Sequence, residues 1–169
     1  AHKLVIMASI AFGMPLKFDD VYTEGITQLA QSDIKYAEEL GYIVKLLAVT
    51  KRTDKGVELR VHPTLIPEKR LVANVDGAMN AVLVQGDAVG PTLYYGAGAG
   101  AEPTASAVIA DLIDIARLKD ANDIQRAPAL GYQADQVQDL MVLPIAEIAS
   151  AYYLRMHATD KPGVIAAVT

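Results

Sequence analysis

The sequence predicts an α+β fold in which a mainly antiparallel sheet has helices packed on it. One observation is the apolar segment at residues 4–12, which stops at Gly13 and Pro15 as buried helices often do. A second is the alternation of apolar and polar residues on both sides of two turn segments, which is typical of β-hairpins. A third is the helical repeat of apolar residues over 108–116, which follows a glycine-rich loop.

Composition limits the classes of protein to consider. A chain of 169 residues corresponds to one domain, or to one domain and part of a second, since domains average roughly 150 residues. With 52% hydrophobic and 21% charged residues, the chain is too apolar to be disordered. Its net charge of −5 disfavours a nucleic-acid partner. The absence of cysteine excludes disulfides and thiolate chemistry and agrees with a cytoplasmic location, which we expect.

Two helices are predicted before the strands. The first covers residues 3–13 and is too short to cross a bilayer, which needs ~20 residues, so no membrane partner is expected. A capping residue should precede such a helix, but the chain begins at Ala1, which suggests a cut end. The second helix is predicted from an apolar face over residues 26–40 and ends at Gly41.

The first hairpin is predicted from alternating residues over 43–49 and 57–61, on either side of a turn at 53–56. A loop bounded by prolines is expected at 63–74. Two hairpins in succession would form a largely antiparallel sheet.

The second hairpin comprises residues 81–84 and 92–95 around the turn at 85–91. A third helix follows, with Pro103 near its start, where the fixed φ of proline is suited to a helix. From residue 119 polar residues and prolines become frequent, which indicates a linker between packed units. A further strand is predicted at 152–156.

The glycine loop is the first candidate site. Gly96, Gly98 and Gly100 lie between a predicted strand and a predicted helix, where backbone can approach a phosphate and the helix end offers free N–H groups. Their spacing differs from the G-x-G-x-x-G dinucleotide fingerprint. Contact with a phosphate or cofactor and a sharp strand-to-helix turn therefore both remain open.

Lys3 is the second candidate, because it lies in the first turn of an apolar helix. The helix dipole and partial desolvation there would favour the neutral amine, which can accept a proton. An ordinary solvated lysine is the alternative, and the residues alone favour it. No metal site is expected, because His2, His62 and His157 have no partners at the spacing of metal ligands.

Several motifs, in order, resemble the homoserine dehydrogenase family. Residues 1–4 are similar to the end of its D-A-A-x-K-L signature, and the resemblance covers about the first 118 residues. It continues through motifs at residues 22–26, 73–82, 86–90 and 95–108. Residues 152–156 and 160–164 resemble the start of the ACT regulatory domain that follows in many members.

The resemblance implies three parts of the chain. Residues 1–118 would be the catalytic and dimerisation domain, truncated at its amino-terminal side, and 119–150 a linker. Residues 151–169 would be the truncated start of the ACT domain, so the α+β fold would be followed by the first strand of a ferredoxin-like domain. Because the family's amino-terminal Rossmann domain is absent, the piece itself is expected to be inactive.

The resemblance also implies an activity and its residues. Family members interconvert L-homoserine and L-aspartate 4-semialdehyde by hydride transfer with NADP or NAD, on the route to threonine, methionine and isoleucine. Lys3 matches the catalytic lysine, and Gly98 and Gly100 match the loop that contacts the cofactor. Asp160 and Gly163 match the effector loop, with L-threonine as a candidate effector, and a homodimer or homotetramer is expected. The alternative is a non-enzymatic module for oligomerisation and amino-acid effector binding.

Overall fold

The computed structural model describes residues 1–119, 128 and 130–158. The helices and strands are α1 (His2–Phe12), β1 (Tyr22–Thr23), α2 (Gln31–Glu39), β2 (Tyr42–Thr53), β3 (Gly56–Pro67), β4 (Met79–Gly86), β5 (Gly90–Ala97) and α3 (Ala101–Leu118). Within the described residues one sheet has three strands in the order β1-β3-β2, and β4 and β5 form a separate two-stranded sheet. The predicted α+β class with antiparallel hairpins is confirmed, although the hairpins belong to two sheets rather than one.

Helix α1 matches its prediction and supplies two of the six residues of the core. Leu4 and Ala8 are buried against the three-stranded sheet. The helix ends at Gly13, which has φ 63° and donates its N–H to the carbonyl of Ser9 at 3.0 Å. A Cβ at Gly13 would lie 2.8 Å from the ring of Tyr132, so glycine is needed here both for the left-handed turn and for the close approach of that ring.

Helix α2 is shorter than the apolar pattern predicts. It begins at Gln31 rather than near residue 26. The reason is a cap: the carboxylate Oδ2 of Asp33 accepts the backbone N–H of Ala30 at 3.1 Å and fixes the first turn. The apolar residues before it form a separate turn, in which Leu29 N–H donates to the carbonyl of Ile26.

The first hairpin is confirmed, but its second strand is longer than predicted. Strands β2 and β3 pair antiparallel from the turn at Thr53 and Gly56 to Tyr42 and Pro67 at the far end. The sequence predicts a loop from residue 63, whereas the strand continues through Pro63 to Pro67.

The prolines are tolerated because of the edge that they face. The backbone of Val61 points away from β2, since its carbonyl accepts the N–H of Glu24 at 2.8 Å. Alternate residues of a strand direct their backbone groups to the same edge, so Pro63 and Pro67 also point away from β2. The missing N–H groups therefore remove no bond from the β2–β3 ladder.

The core lies between α1 and one face of β3. The residues that form it are Leu4, Ala8, Met14, Val57, Leu59 and Val61. Leu59 is 1% exposed and illustrates how completely this layer is closed.

Residues 130–148, here called the strap, pass across this core. Val57 exchanges backbone hydrogen bonds with the strap, donating to Met141 O at 2.8 Å and accepting from Leu143 N–H at 2.9 Å. At the other end, Gln138 N–H donates to the carbonyl of Gly13 at 2.8 Å. The strap therefore pairs with the edge of the sheet at β3.

Side chains fix the strap as well. The Lys17 ammonium donates to the carbonyl of Leu140 at 2.9 Å and forms an ion pair with Asp139 at 2.7 Å. Leu143 and Ile148 are buried. A spacer between two packed units would leave such residues exposed, so this part of the expected linker is integral to the core.

Residues 151–158, here called the tail, form no strand with any described residue, in contrast to the strand predicted at 152–156. The tail instead lies against α2. Arg155 forms an ion pair with Asp33, and Tyr153 donates its hydroxyl to the same carboxylate.

The second hairpin and α3 are confirmed and largely uncovered. Strands β4 and β5 pair in register from Met79 and Ala97 to Gly86 and Gly90. Helix α3 buries none of its residues. Within the described part of the chain, no helix combines the length and apolarity that crossing a membrane requires.

Candidate active site and cofactor loop

Lys3 occupies the first turn of α1. The carbonyl of Ala1 accepts the N–H groups of Leu4 and Val5, which starts the helix. Leu4 and Val5 are buried, whereas Lys3 is exposed. The partial desolvation expected from the sequence is thus not supplied by the described residues.

Lys3 shares its face of α1 with exposed apolar side chains. Ile6, Met7 and Ile10 follow it at helical spacing, and each is more than a third exposed. The amine therefore lies at the end of an apolar stripe. Any group that covers this stripe would also remove water from around the amine.

The glycine loop joins β5 to α3. Gly100 is the residue before the first helical turn. It has φ 124° and ψ 162°, a backbone conformation that residues other than glycine rarely adopt. It provides no side-chain cap, so the end of α3 is open. Gly100 is therefore required by its own backbone geometry.

Glycine is required at position 98 for a different reason: a neighbouring side chain leaves no room for a Cβ. A Cβ at Gly98 would overlap the carboxamide of Asn80 at the start of β4. The carbonyl of Ala78 accepts both the N–H of Gly98, at 3.5 Å, and the Asn80 Nδ2, at 3.4 Å. The loop is thus held against the beginning of β4.

The residues at this end of α3 fit a phosphate-bearing cofactor. The first N–H groups of a helix have no intrahelical acceptor, which leaves those of Ala101 and Glu102, since Pro103 has none. Free amides at a helix N-terminus bind phosphate, and bare backbone at Gly98 and Gly100 allows close approach. The Glu102 carboxylate opposes an anion, so binding here would depend on the amides.

The structure shows no polar interaction that connects Lys3 with the glycine loop. No hydrogen bond or ion pair between them is present among residues 1–119, 128 and 130–158. The predicted effector residues Asp160 and Gly163 lie outside the described residues. In the part of the chain that the structure describes, no three His, Cys, Asp or Glu side chains are placed to hold a metal ion.

His62 belongs to a polar row on β3. Alternate strand residues share a face, and there Glu58 pairs with Arg60 at 3.2 Å while Arg60 Nη1 lies 2.9 Å from His62 Nε2. Because arginine only donates, His62 Nε2 accepts, and its Nδ1 donates to the carbonyl of Pro63 at 2.9 Å. Both ring nitrogens are therefore used within the strand.

The sequence did not single out two polar residues whose side chains make important contacts in the structure. Asn80 lies inside a motif, but only its pairing with Gly96 across the hairpin brings it to the glycine loop. Asp33 lies three residues after Ala30, the spacing of a capping box, yet the alanine conceals the usual Ser or Thr signal. That spacing was the one local signal available.

The chain is similar to known proteins. A family model described as homoserine dehydrogenase matches residues 1–113. A homoserine dehydrogenase of Neisseria gonorrhoeae is 63% identical over 164 residues, which is 97% of this chain and 38% of that protein. One of Pseudomonas aeruginosa is 60% identical over 168 residues, or 99% of this chain and 39% of that protein.

Solved structures agree with these sequence matches. A homoserine dehydrogenase from Thiobacillus denitrificans superimposes with a TM-score of 0.92 at 62% identity, covering 99% of this chain and 38% of that one. One from S. aureus gives a TM-score of 0.64 at 36% identity, covering 80% of this chain and 34% of that one. The chain therefore spans well under half the length of the relatives that it matches.

Proposed function

The chain belongs to the homoserine dehydrogenase family, and on that premise we propose that the whole protein interconverts L-homoserine and L-aspartate 4-semialdehyde by hydride transfer with NAD(P). The observation that carries the proposal is the family match over residues 1–113. The reaction would serve the route to threonine, methionine and isoleucine in the cytoplasm.

Lys3 is the proposed proton donor and acceptor. During reduction the ammonium of Lys3 gives a proton to the substrate oxygen as negative charge develops on it, and during oxidation the amine takes the hydroxyl proton. The nicotinamide, when bound, supplies or accepts the hydride. Ile6, Met7 and Ile10 line the same helix face and would exclude water from around the amine once the stripe is covered.

Gly98 and Gly100 are the proposed cofactor contacts, together with the amides of Ala101 and Glu102. The open end of α3 favours a phosphate at this point, and either NADP or NAD fits such a contact. The remaining assignments are part of the same proposal: a homodimer or homotetramer, and L-threonine bound by a loop that includes Asp160 and Gly163.

The proposed division of the chain is a catalytic and dimerisation domain at 1–118, a connecting segment at 119–150 and the start of an ACT domain at 151–169. The packing of the strap means that the connecting segment would also stabilise the first domain.

The activity is tested directly with the full-length protein. We expect oxidation of NADPH or NADH when aspartate 4-semialdehyde is added, and reduction of NADP or NAD with homoserine. A folded full-length protein that turns over neither substrate with either nucleotide would contradict the proposal. Residues 1–169 alone are expected to be inactive.

Substituting Gly100 by alanine tests the cofactor loop. The positive φ of Gly100 costs an alanine about 1–3 kcal/mol, so the loop should shift and the KM for the nucleotide should rise about tenfold. Gly25→Ala is the control, because Gly25 has no positive φ and no atom within 4 Å of its added Cβ. An unchanged nucleotide KM in Gly100→Ala would exclude the loop from the binding site.

A further inference from the structure

The carboxamide of Asn80 packs against the glycine loop. Asn80 on β4 pairs with Gly96 on β5, and Gly98 is the diagonal neighbour two residues further along the chain. Diagonal neighbours of an antiparallel pair lie within reach of a side chain of this length. A Cβ at Gly98 would lie 2.5 Å from Asn80 Cγ, so the carboxamide already fills the space beside the loop.

We propose that Asn80 is a positioning residue, whose carboxamide fixes the place of Gly98 and thereby sets how closely the glycine loop approaches the nucleotide. This role rests on the proposed function, because the loop is a cofactor contact only there. Asn80 acts through Gly98 and need not touch the nucleotide itself.

The residues at positions 98 and 80 are matched in size. Gly98 has no positive φ, in contrast to Gly100, so its backbone conformation is open to other residues. Among the described residues it is the Asn80 side chain, through its Cγ and Nδ2, that occupies the site of the missing Cβ. A larger residue at position 98 would therefore have to move either the carboxamide or the loop.

A shared acceptor aligns the two residues. The carbonyl of Ala78 accepts the N–H of Gly98 at 3.5 Å and the Nδ2 of Asn80 at 3.4 Å. Both distances are long for hydrogen bonds, so the packing of the carboxamide is the larger part of the contact. One backbone carbonyl thus keeps the carboxamide and the loop together.

The start of β4 is itself anchored to the three-stranded sheet. Lys45 on β2 donates to the carbonyl of Val75 at 2.8 Å and forms an ion pair with Asp76 at 2.7 Å. The carbonyl of Asp76 accepts the N–H of Met79 at 3.2 Å, which closes the turn into β4. Because α1 packs on the same sheet, Asn80 relates the glycine loop to the helix that carries the proposed proton donor.

The contact between Asn80 and the loop is set within one hairpin. Strands β4 and β5 pair from Met79 and Ala97 to Gly86 and Gly90, and that register places residues 80 and 98 side by side. Neither a further domain nor a partner subunit is needed to bring them together. The same contact is therefore expected in the full-length protein.

Asn80→Ala in the full-length protein tests the positioning role. We expect a several-fold rise in both the KM and the Kd of the nucleotide, with the KM for homoserine nearly unchanged, because only the loop loses its support. A general loss of structure would change both KM values. Gln85→Ala is the matched control and should change neither: its exposed carboxamide donates over 3.4 Å to the carbonyl of Gly86, at the opposite end of β4.

A double variant tests whether Asn80 acts through Gly98. In Gly98→Ala the added Cβ competes with the carboxamide, and we expect the Kd of the nucleotide to rise. In Gly98→Ala/Asn80→Ala the competing atoms are gone and the Cβ of residue 80 lies 3.1 Å away, so the Kd should be no higher than in Gly98→Ala alone. A Kd increase equal to the product of the two single increases would mean that the residues are independent, and would overturn the proposal.

The outcomes separate the role of Asn80 from the proposed reaction. If the unsubstituted protein turns over homoserine and a folded Asn80→Ala keeps its nucleotide Kd, the positioning role is wrong and the reaction stands. If the unsubstituted protein binds a nucleotide without turning over homoserine, the reaction is wrong, and the Kd values still test Asn80. If it binds neither NADP nor NAD, both are wrong.

Discussion

Replacing Lys3 by alanine in the full-length protein is expected to lower kcat by about 10²–10⁴-fold, the usual contribution of a positioned general acid or base. The Kd of the nucleotide should change little, because no hydrogen bond or ion pair connects Lys3 with the glycine loop among the described residues. Steady-state kinetics in both directions and a fluorescence titration of the reduced nucleotide would measure the two quantities.

Two further variants separate proton transfer from the loss of a charge. Lys3→Arg keeps the positive charge, but arginine does not deprotonate in proteins, so its kcat should stay as low as that of Lys3→Ala. Lys55→Ala removes another exposed lysine, from the β2–β3 turn, and should retain full activity. Near-normal turnover in Lys3→Ala would disprove the role of Lys3.

Replacing Gly56 by alanine is expected to lower the free energy of unfolding by about 2–5 kcal/mol, in the range of the largest single-site effects. Gly56 has φ 151°, and a Cβ would lie 2.5 Å from the backbone carbonyl of Met141 in the strap. That carbonyl accepts the N–H of Val57, so the clash would also break the bond that holds the strap to β3.

Gly41→Ala is the matched control for this substitution. Gly41 also has a positive φ, at 79°, but no atom lies within 4 Å of an added Cβ. Urea unfolding of both variants therefore separates backbone strain from the displacement of the strap. An equal loss of stability in the two variants would show that the strap contributes nothing at this point.

Elements governed by neighbouring residues were predictable from the sequence. Helix α1 ends at Gly13, and both hairpins turn within the segments that the sequence predicts as turns. In each case the signal lies within a few residues of the structure that it specifies. Helix α3 likewise begins directly after its glycine loop, as the adjacent residues predict.

Other features depend on partners that are distant in the sequence. Whether Pro63 ends β3 depends on which edge its nitrogen faces, and that is fixed by pairing with β1 and β2. Whether the segment around Leu143 is a spacer or part of the core depends on its bonds to Val57, which lies 86 residues earlier. Periodicity contains no information about either choice.

The candidate site divides in the same way. The resemblance carried by residues 1–4 and 95–108 was enough to single out Lys3, Gly98 and Gly100, and the family is confirmed by the comparisons. The resemblance does not show how far these three residues are buried, and the desolvation predicted for Lys3 is absent among the described residues.

The sequence by itself determined the α+β class, the end of α1 at Gly13, the positions of the two hairpin turns and the family, because glycine caps, turns and motifs are properties of adjacent residues. Only the tertiary structure decided that the strap belongs to the core and that Asp33 binds Arg155 across 122 residues. A hydrogen bond or ion pair forms according to distance in space, and the fold alone sets that distance.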